Sequence, residues 1–598
     1  NCELHPALES AGILINSMRG CLPEEIEQLT RTFEREIYPI LTPLAVGPGQ
    51  PFPYISGLSL SLGVLVKDPA SGEQRFARVK IPEGLPRFLP AGTRGVAVPI
   101  EDVIAWFLGR LFPEMEIVET AVFRVTRDAD FEVSDEADDL LEAVRGELRR
   151  RRFGEVVRLE VSEEMSESML DQIQAGVGAA DSLVYTIDGR LDLADLSQLA
   201  SFERPEHRYG PWIAPPQARL SGAAESGIFS EIRRGDVAIH LPYEPFTSTV
   251  EAFVKQASKD VHSIALKATV YRTSDESPLV PALIEAAEDG KQSVCLVELK
   301  AQFDEHRNIT WSRRLDQAGV HVVYGFPHLK IHAKAVLVVR REGGHLRRYV
   351  HIGTGNYNSD TARLYEDLGL LTDDEDITAD IADLFNYVTG FGSPRSFRKI
   401  LVAPFGLRNR LIEEIRAAAG GGKKGRIFLK VNGLTDPAII EELYRASAAG
   451  TRVQIVARSI CTLKPKVPGL SDNIEVYSIL GRFLEHSRLF IFDSGKKSTF
   501  FMGSADLMPR NLDQRIEVVV PVEDPKVQQD LEAFSEMWLS DRAHCWELGP
   551  TGTWKRLAPA KDQHGISSQE LMMRRARTRA ARRSPAKRRR LTPRPPAR

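Results

Sequence analysis

Cysteine is scarce: five residues in 598 (Cys2, Cys21, Cys295, Cys461 and Cys545), far apart and with no C-x-x-C pair. Such spacing argues against a disulfide framework and a structural zinc, and it points to a reducing compartment, the cytoplasm. Long apolar runs are missing too. Nothing approaches the roughly 18 consecutive apolar residues that a membrane-spanning helix needs. The opening NCELHPALESAGILI lacks the basic, apolar and small-residue zones of a signal peptide. The first residue is Asn rather than Met, so the expectation is a processed or incomplete chain. No phosphate-cradling P-loop is expected: the AGGGK run at 419–423 has no strand before it and no K-[ST] ending, and reads as a linker. His306, His321, His328 and His345 match no metal-ligand spacing, so no zinc is expected.

What is present is an ordinary globular balance, 42% hydrophobic and 27% charged, in a chain long enough for about four domains. The formal net charge of −4 conceals a split: residues 571–598 carry eleven Arg, one Lys and no acid. With no apolar period to bury, residues 557–598 read as a basic disordered tail, either simply solvated or a contact for polyanions.

Residues 1–215 alternate strand-like runs (LSLSLGVLVK, RGVAVPI) with helix-like stretches such as EADDLLEAVRGELRRRRF, and end in the proline-rich YGPWIAPPQARL. They read as an α+β domain without a chemical motif. Beyond it the chain repeats itself, because residues 263–358 and 426–511 follow one script. Each copy opens with a strand bearing Leu-Lys (SIALKATVYR, RIFLKVNGL). An amphipathic helix follows (PLVPALIEAAEDGK, PAIIEELYRASAAGT), stops at Gly290 or Gly450, and leads into an apolar strand (SVCLVELK, RVQIVARS). Each copy then supplies a His followed two residues later by a cation, in KIHAKAVLVV and LEHSRLFIF, and closes on a glycine-bearing loop, YVHIGTGNYN or TFFMGSADLM. The expected fold class is α/β, α+β overall: two tandem α/β halves, 216–396 and 397–556, sharing a cleft and preceded by the α+β domain.

In a strand, residues i and i+2 face the same side, so His332 projects with Lys334 and His486 with Arg488. A neutral imidazole is a nucleophile near pH 7, and its attack on phosphorus yields a phosphoramidate that passes the phosphoryl group onward. Phosphoryl transfer otherwise asks for positioning and charge neutralisation. Lys267, Arg272, Lys330, Lys334, Arg363, Lys430, Arg458, Arg488 and Arg515 offer cations. The loops GTGN (353–356, ending at Asn356) and GSAD (503–506) offer donors to anionic oxygens. A lone strand histidine is ordinarily structural, the reading for His240 and His262. His351, just before its glycine loop, is open to two readings: packed, or supporting the site.

These strings resemble the histidine-dependent (type 1) polyphosphate kinases and, more distantly, the phospholipase D superfamily. The resemblance spans about residues 10 to 555. It is carried by FRVTRDADFEV, YRTSDES, FDEHRNITWSRRL, AGVHVVYG, LKIHAKAVLV, YVHIGTGNYNSDTARLYEDLGLLT, GLSDNI, RFLEHSRLFIF and GSADLMPRNLDQRIEVVVP. It implies phospholipase D-like halves and reversible transfer of the terminal phosphate of ATP to inorganic polyphosphate through phospho-His332. Mg²⁺ is the implied cofactor, ATP, ADP and polyphosphate the partners, and a dimer or tetramer the assembly. His486 is implied as the second essential histidine, with Tyr365, Arg458 and His486 contacting ATP and Arg272 at the phosphates and magnesium. The companion of Arg272 in the family's A-R-F-D-E string is here Gln302, in AQFDE. Members of the family begin with a helical domain that helps hold the adenine, and this chain starts near the end of that region.

Two other readings compete. Phospholipase D-like phosphodiesterases carry H-x-K-x(4)-D in both halves, whereas here Val339 fills the first such position and only Asp493 the second. That disfavours diester hydrolysis, while ADP, a stable anion, leaves with less acid assistance than an alkoxide. A degenerate polyanion-binding protein would use the same basic cleft and tail without turnover.

Overall fold

The computed structural model describes residues 4–47, 49–128, 153–202, 204–222, 227–271, 277, 279–299, 305–326, 328–390, 392, 396–557 and 565–583. Arg272, Gln302 and residues 584–598 of the basic segment lie outside them. The described residues form two compact units, one up to Pro211 and one from Trp212 onward. None of their helices is long and apolar enough to cross a membrane.

In the first unit a six-stranded sheet runs in the order Pro43–Ala45, Gln74–Lys80, Leu60–Lys67, Glu116–Arg127, Val156–Ser162, Val184–Ile187. Leu60–Lys67 is paired antiparallel on both sides, and its apolar residues serve two cores. Leu62, Val64 and Val66 pack with Phe33, Ile37 and Ile104, while Leu65 packs with Phe76, Phe123 and Ile173. Alternation of side chains along a strand makes this division. The helix Glu167–Val177 starts at Ser166, whose side chain accepts from Met169 N, and stops at Gly178 with φ 72°. A Cβ at Gly63 would stand 3.0 Å from Met169 Sδ, so a bare glycine lets that helix lie close.

The second unit holds two sheets of similar plan. The first runs Val237–Leu241, Tyr365–Thr372, His345–Gly353, Lys334–Glu342, Ser263–Val270, Gln292–Val297, His321–Val323. The second contains Arg515–Pro521, Ser498–Gly503, Leu489–Asp493, Arg426–Val431, Arg452–Ala457 and Ile474–Ile479 in that order, extended by Cys545–Leu548 and Trp554–Arg556. In each, the two Leu-Lys copies form the expected β-α-β unit. The crossover helices are Leu279–Glu288 and Pro437–Ala448, and the strands they join pair in parallel. Gly290 and Gly450 follow those helices at φ 76° and 93°.

One apolar core spans both sheets. Leu337, Val350, Ile352 and Leu370 of the first meet Phe428, Ile491, Met502 and Val518 of the second, through Ile381 and Phe385 of helix Glu375–Gly390 and Phe534 and Trp538 of helix Pro525–Leu539. Each such side chain, fully buried, contributes roughly 1.5–3 kcal/mol. Two short strands also trade places. Lys330–Ile331, from the first repeat, pairs with Arg515–Ile516 in the second sheet, and Leu484–Glu485, from the second repeat, pairs with Tyr365–Glu366 in the first.

The basic segment departs from expectation. Residues Ser568–Arg583 are a helix, not a disordered tail. Its apolar stripe is short but real: Met572 is buried, and Met573 and Ala576 pack against the shared core. Its cations are matched as well, because Arg575 and Arg579 lie 2.6 and 3.0 Å from the Asp530 carboxylate, and Arg577 covers the Trp212 ring. Composition alone misses this, since the carboxylate and the apolar surface both belong to distant parts of the chain.

Candidate active site

The exchanged short strands deliver the two histidines. His332 follows Ile331 and its N–H donates to Ile516 O at 3.0 Å; His486 follows Glu485 and its N–H donates to Glu366 O at 3.0 Å. Each imidazole thereby meets a carboxylate of the opposite repeat. His332 Nδ1 lies 2.8 Å from Glu517 Oε2, and His486 Nδ1 lies 2.7 Å from Asp367 Oδ1. A loop hydroxyl steadies each carboxylate: Thr354 Oγ1 donates to Asp367 and Ser504 Oγ to Glu517, while accepting from Leu368 N and Val518 N. The two glycine loops thus serve the histidines through their hydroxyls, while the Thr354 and Ser504 amides donate to Leu368 O and Val518 O.

Burial raises the Glu517 carboxyl above its usual range, but Lys334, Arg515 and the donors Ser504 Oγ and Asn511 Nδ2 oppose this and favour the ionised form, an acceptor for His332 Nδ1. His332 therefore carries its proton on Nδ1 and keeps Nε2 as a lone pair. Burial holds the imidazole well below its usual pKa, reinforced by Lys334, Arg515 and Arg488, so it is neutral at pH 7. Tyr271 meets the ring edge-on with centroids 5.2 Å apart. Lys334 is buried, with Nζ donating to His332 O. Burial also drives its ammonium well below the usual range, opposed by Glu517 and reinforced by Arg488 and Arg515.

Around His486 the charges are closer. Arg488 forms a two-point pair with Asp506 at 3.2 and 3.0 Å, and its Nη1 stands 3.2 Å from His486 Nε2. Burial lowers the His486 pKa, with Arg488 adding to it and Asp367 opposing. Tyr365 packs on the His486 ring at 5.3 Å, and Arg458 Nη1 donates to Glu485 O at 3.2 Å. Tyr365, Arg458 and His486 are therefore brought together.

The remaining nominated residues divide. Lys330 is exposed at the edge, and the buried Asn356 amide oxygen has no hydrogen-bond partner among the described residues. Lys267 reaches Asn386 of helix Glu375–Gly390. Lys430, expected as a phosphate-binding cation, is instead enclosed: its Nζ donates to Glu366 Oε2 at 2.7 Å and Ser487 Oγ at 2.8 Å and pairs with Glu485 at 3.0 Å. An ammonium with its partners already in place has nothing left for phosphate. His240 joins the same cluster through Glu366, at 2.7 Å. His351 bonds the Tyr357 hydroxyl at 2.9 Å, and burial pushes its pKa down to about 3.

Asp367 and Glu517 escaped sequence reasoning. The signal was there, since each lies fourteen residues beyond its loop glycine, Gly353 or Gly503. Among the described residues no group of three or more His, Cys, Asp or Glu side chains is placed to hold a metal ion. Glu517 is already engaged by three donors and Asp367 by two. The described residues therefore do not make a resident metal site.

Comparison with known proteins agrees with this architecture. Family models described as polyphosphate kinase middle domain, C-terminal domain 1 and C-terminal domain 2 match residues 24–199, 227–394 and 400–569. The chain is 49% identical over 582 residues to a polyphosphate kinase of Mycolicibacterium gilvum, covering 96% of this chain and 79% of that one. It is 50% identical over 569 residues to the Mycobacterium avium polyphosphate kinase, at 92% and 78% coverage. The crystal structure of polyphosphate kinase from Porphyromonas gingivalis superposes with a TM-score of 0.84 at 28% identity, over 97% of this chain and 87% of that one. Fold and site together define an α/β kinase built from two paired halves. The chain belongs to the polyphosphate kinase family, and the activity this supports is that of a polyphosphate kinase.

Proposed function

We propose that the chain moves the terminal phosphoryl group of ATP to polyphosphate in two steps through His332. The neutral Nε2 lone pair attacks the γ-phosphorus, a P–N bond forms, and the bond to the ADP oxygen breaks, ADP leaving as an anion. The Nδ1 proton stays on the ring, held by Glu517. A terminal polyphosphate oxygen then attacks the phosphorus, the P–N bond breaks, and neutral His332 returns. The observation that carries this reading is the fixed Nδ1–Glu517 bond on a ring kept neutral by burial. An arriving phosphate adds negative charge beside Lys334, whose ammonium burial disfavours and Glu517 restores only in part.

Tyr365, Arg458, His486 and Arg488 are assigned to the nucleotide and the departing oxygen. Magnesium would accompany the nucleotide phosphates as part of the substrate, near Arg272 and the position filled by Gln302. Cytoplasmic location and a dimeric or tetrameric assembly belong to the same reading, and light scattering of the purified chain tests the assembly. No observation favours diester hydrolysis: Val339 packs against the core, and only Asp493 retains the acidic position.

The test is incubation with Mg²⁺ and ATP labelled at the terminal phosphate, then mapping of acid-labile, alkali-stable label. Label on His332, absent in His332→Ala, is expected. Polymer synthesis by His332→Ala would sink the mechanism.

A further inference from the structure

We propose that the C-terminal helix Ser568–Arg583 is a positioning element for His486 and Arg458, acting through the side-chain amide of Gln569. The proposal rests on the assignment of His486 and Arg458 to the nucleotide, and goes beyond it by giving a catalytic task to a segment whose composition reads as a tail.

Gln569 lies in the first turn of that helix and is 2% exposed. Its Oε1 accepts from Phe483 N at 3.0 Å, while its Nε2 donates to Phe483 O at 2.8 Å and to Glu485 Oε1 at 2.8 Å. The Phe483 N–H settles which end of the amide is oxygen. Gln569 thus pairs with the backbone of Phe483 as a neighbouring strand would, immediately before the two-residue strand Leu484–Glu485 that ends at His486.

Glu485 is the second grip. Lys430 Nζ stands 3.0 Å from its Oε2. The Gln569 amide donates to the other oxygen of this carboxylate, Oε1. Burial pushes the Glu485 carboxyl up to about 7, with Lys430 opposing and Glu366 adding. The Glu485 backbone oxygen receives Arg458 Nη1, and the next residue is His486. Moving Gln569 therefore shifts the support of both groups.

The helix is itself held in place. Asp541 Oδ2 accepts from Ser568 N and Ser568 Oγ, both at 2.7 Å, and Asp530 binds Arg575 and Arg579, about two and three turns on. Room for the amide is reserved by Gly481, where a Cβ would stand 2.6 Å from Gln569 Oε1.

Three single variants, one double variant and two controls test this on the full chain. In Gln569→Ala and, independently, Gly481→Ala, which pushes the amide aside, kcat should fall roughly tenfold with KM for ATP raised. The double variant should be no worse than either alone. Gln569→Glu keeps the shape. Its new carboxyl faces Glu485, with Lys430, Glu366, His240 and Tyr243 around the same cluster, so it titrates above the ordinary range. Protonated, its single O–H donates to Glu485 in place of one amide N–H; ionised, two carboxylates oppose each other. Activity relative to the parent should hold at low pH and fall as pH rises.

Arg574→Ala, on the exposed face, should match the parent. Unchanged kcat and KM in Gln569→Ala and Gly481→Ala beside an inactive His486→Ala would overturn the helix's role alone. A Gln569→Glu to parent ratio that is flat with pH would do the same, because a merely structural loss has no reason to recover on protonation. Full turnover by His486→Ala would overturn both this proposal and the assignment beneath it.

Discussion

Glu517→Gln is the most informative single change. The carboxylate accepts three donors, and an amide cannot: its NH2 must face either Asn511 or the His332 and Ser504 pair. The strain is relieved if His332 moves its proton to Nε2, which removes the lone pair that attacks. Phosphohistidine formation, followed by rapid quench, should fall by about 10²-fold or more. The depressed pKa of His332 has its own consequence. The ring stays neutral as pH falls below the ordinary imidazole value of 6.5, so the labelling rate should hold into mildly acidic buffer. Lys334→Met removes the leading cation of that shift, and the acid limb of the profile should move to higher pH. Stability runs with the same sign. His240, His332, His351 and His486 all have lowered values, so the unfolded chain binds protons that the folded chain declines. Their contribution is intact above about 6.5 and is lost progressively below it, which melting curves between pH 7.5 and about 5 should record.

At the scale of elements, the short strands Lys330–Ile331 and Leu484–Glu485 matter beyond their length, since each carries a histidine across to the other sheet. The C-terminal helix matters in the same way. Asp541 caps it and also holds the turn before Cys545, accepting from Ala543 N and His544 N. Asp541→Ala should therefore cost about 1–2 kcal/mol in denaturant unfolding, the usual worth of a lost cap, and should lower kcat as the Gln569 variants do. A stability loss with unchanged kcat would separate the cap from the site.

At the scale of the molecule, the reciprocal pairing means that a lesion in one half is felt by the histidine of the other. In protein carrying ¹⁵N-labelled histidine, Glu517→Gln should move the Nδ1 resonance of His332 and leave that of His486 in place. Asp367→Asn should do the reverse. Two resonances that moved together would contradict the separate pairing seen in the structure. A chain cut between the halves would leave each histidine without its carboxylate, which gives a physical reason for tandem copies to act as one unit.

The repeat, the β-α-β order, the closing glycines and the two H-x-[KR] positions were legible in the sequence because each is a local matter of period, cap or offset. So was the likeness to polyphosphate kinases, carried by contiguous strings. Lys430 looked like a free cation and proved enclosed, because the carboxylates that enclose it, Glu366 and Glu485, are 64 and 55 residues away along the chain. The basic segment looked solvated for a related reason: Asp530, Asp541 and the shared core that receives Met572 come from other elements. The crossing of the two histidines to Asp367 and Glu517 is also tertiary. Each exchanged strand pairs with the N-terminal end of a long strand in the other sheet, Tyr365–Glu366 or Arg515–Ile516, and no local period encodes that pairing.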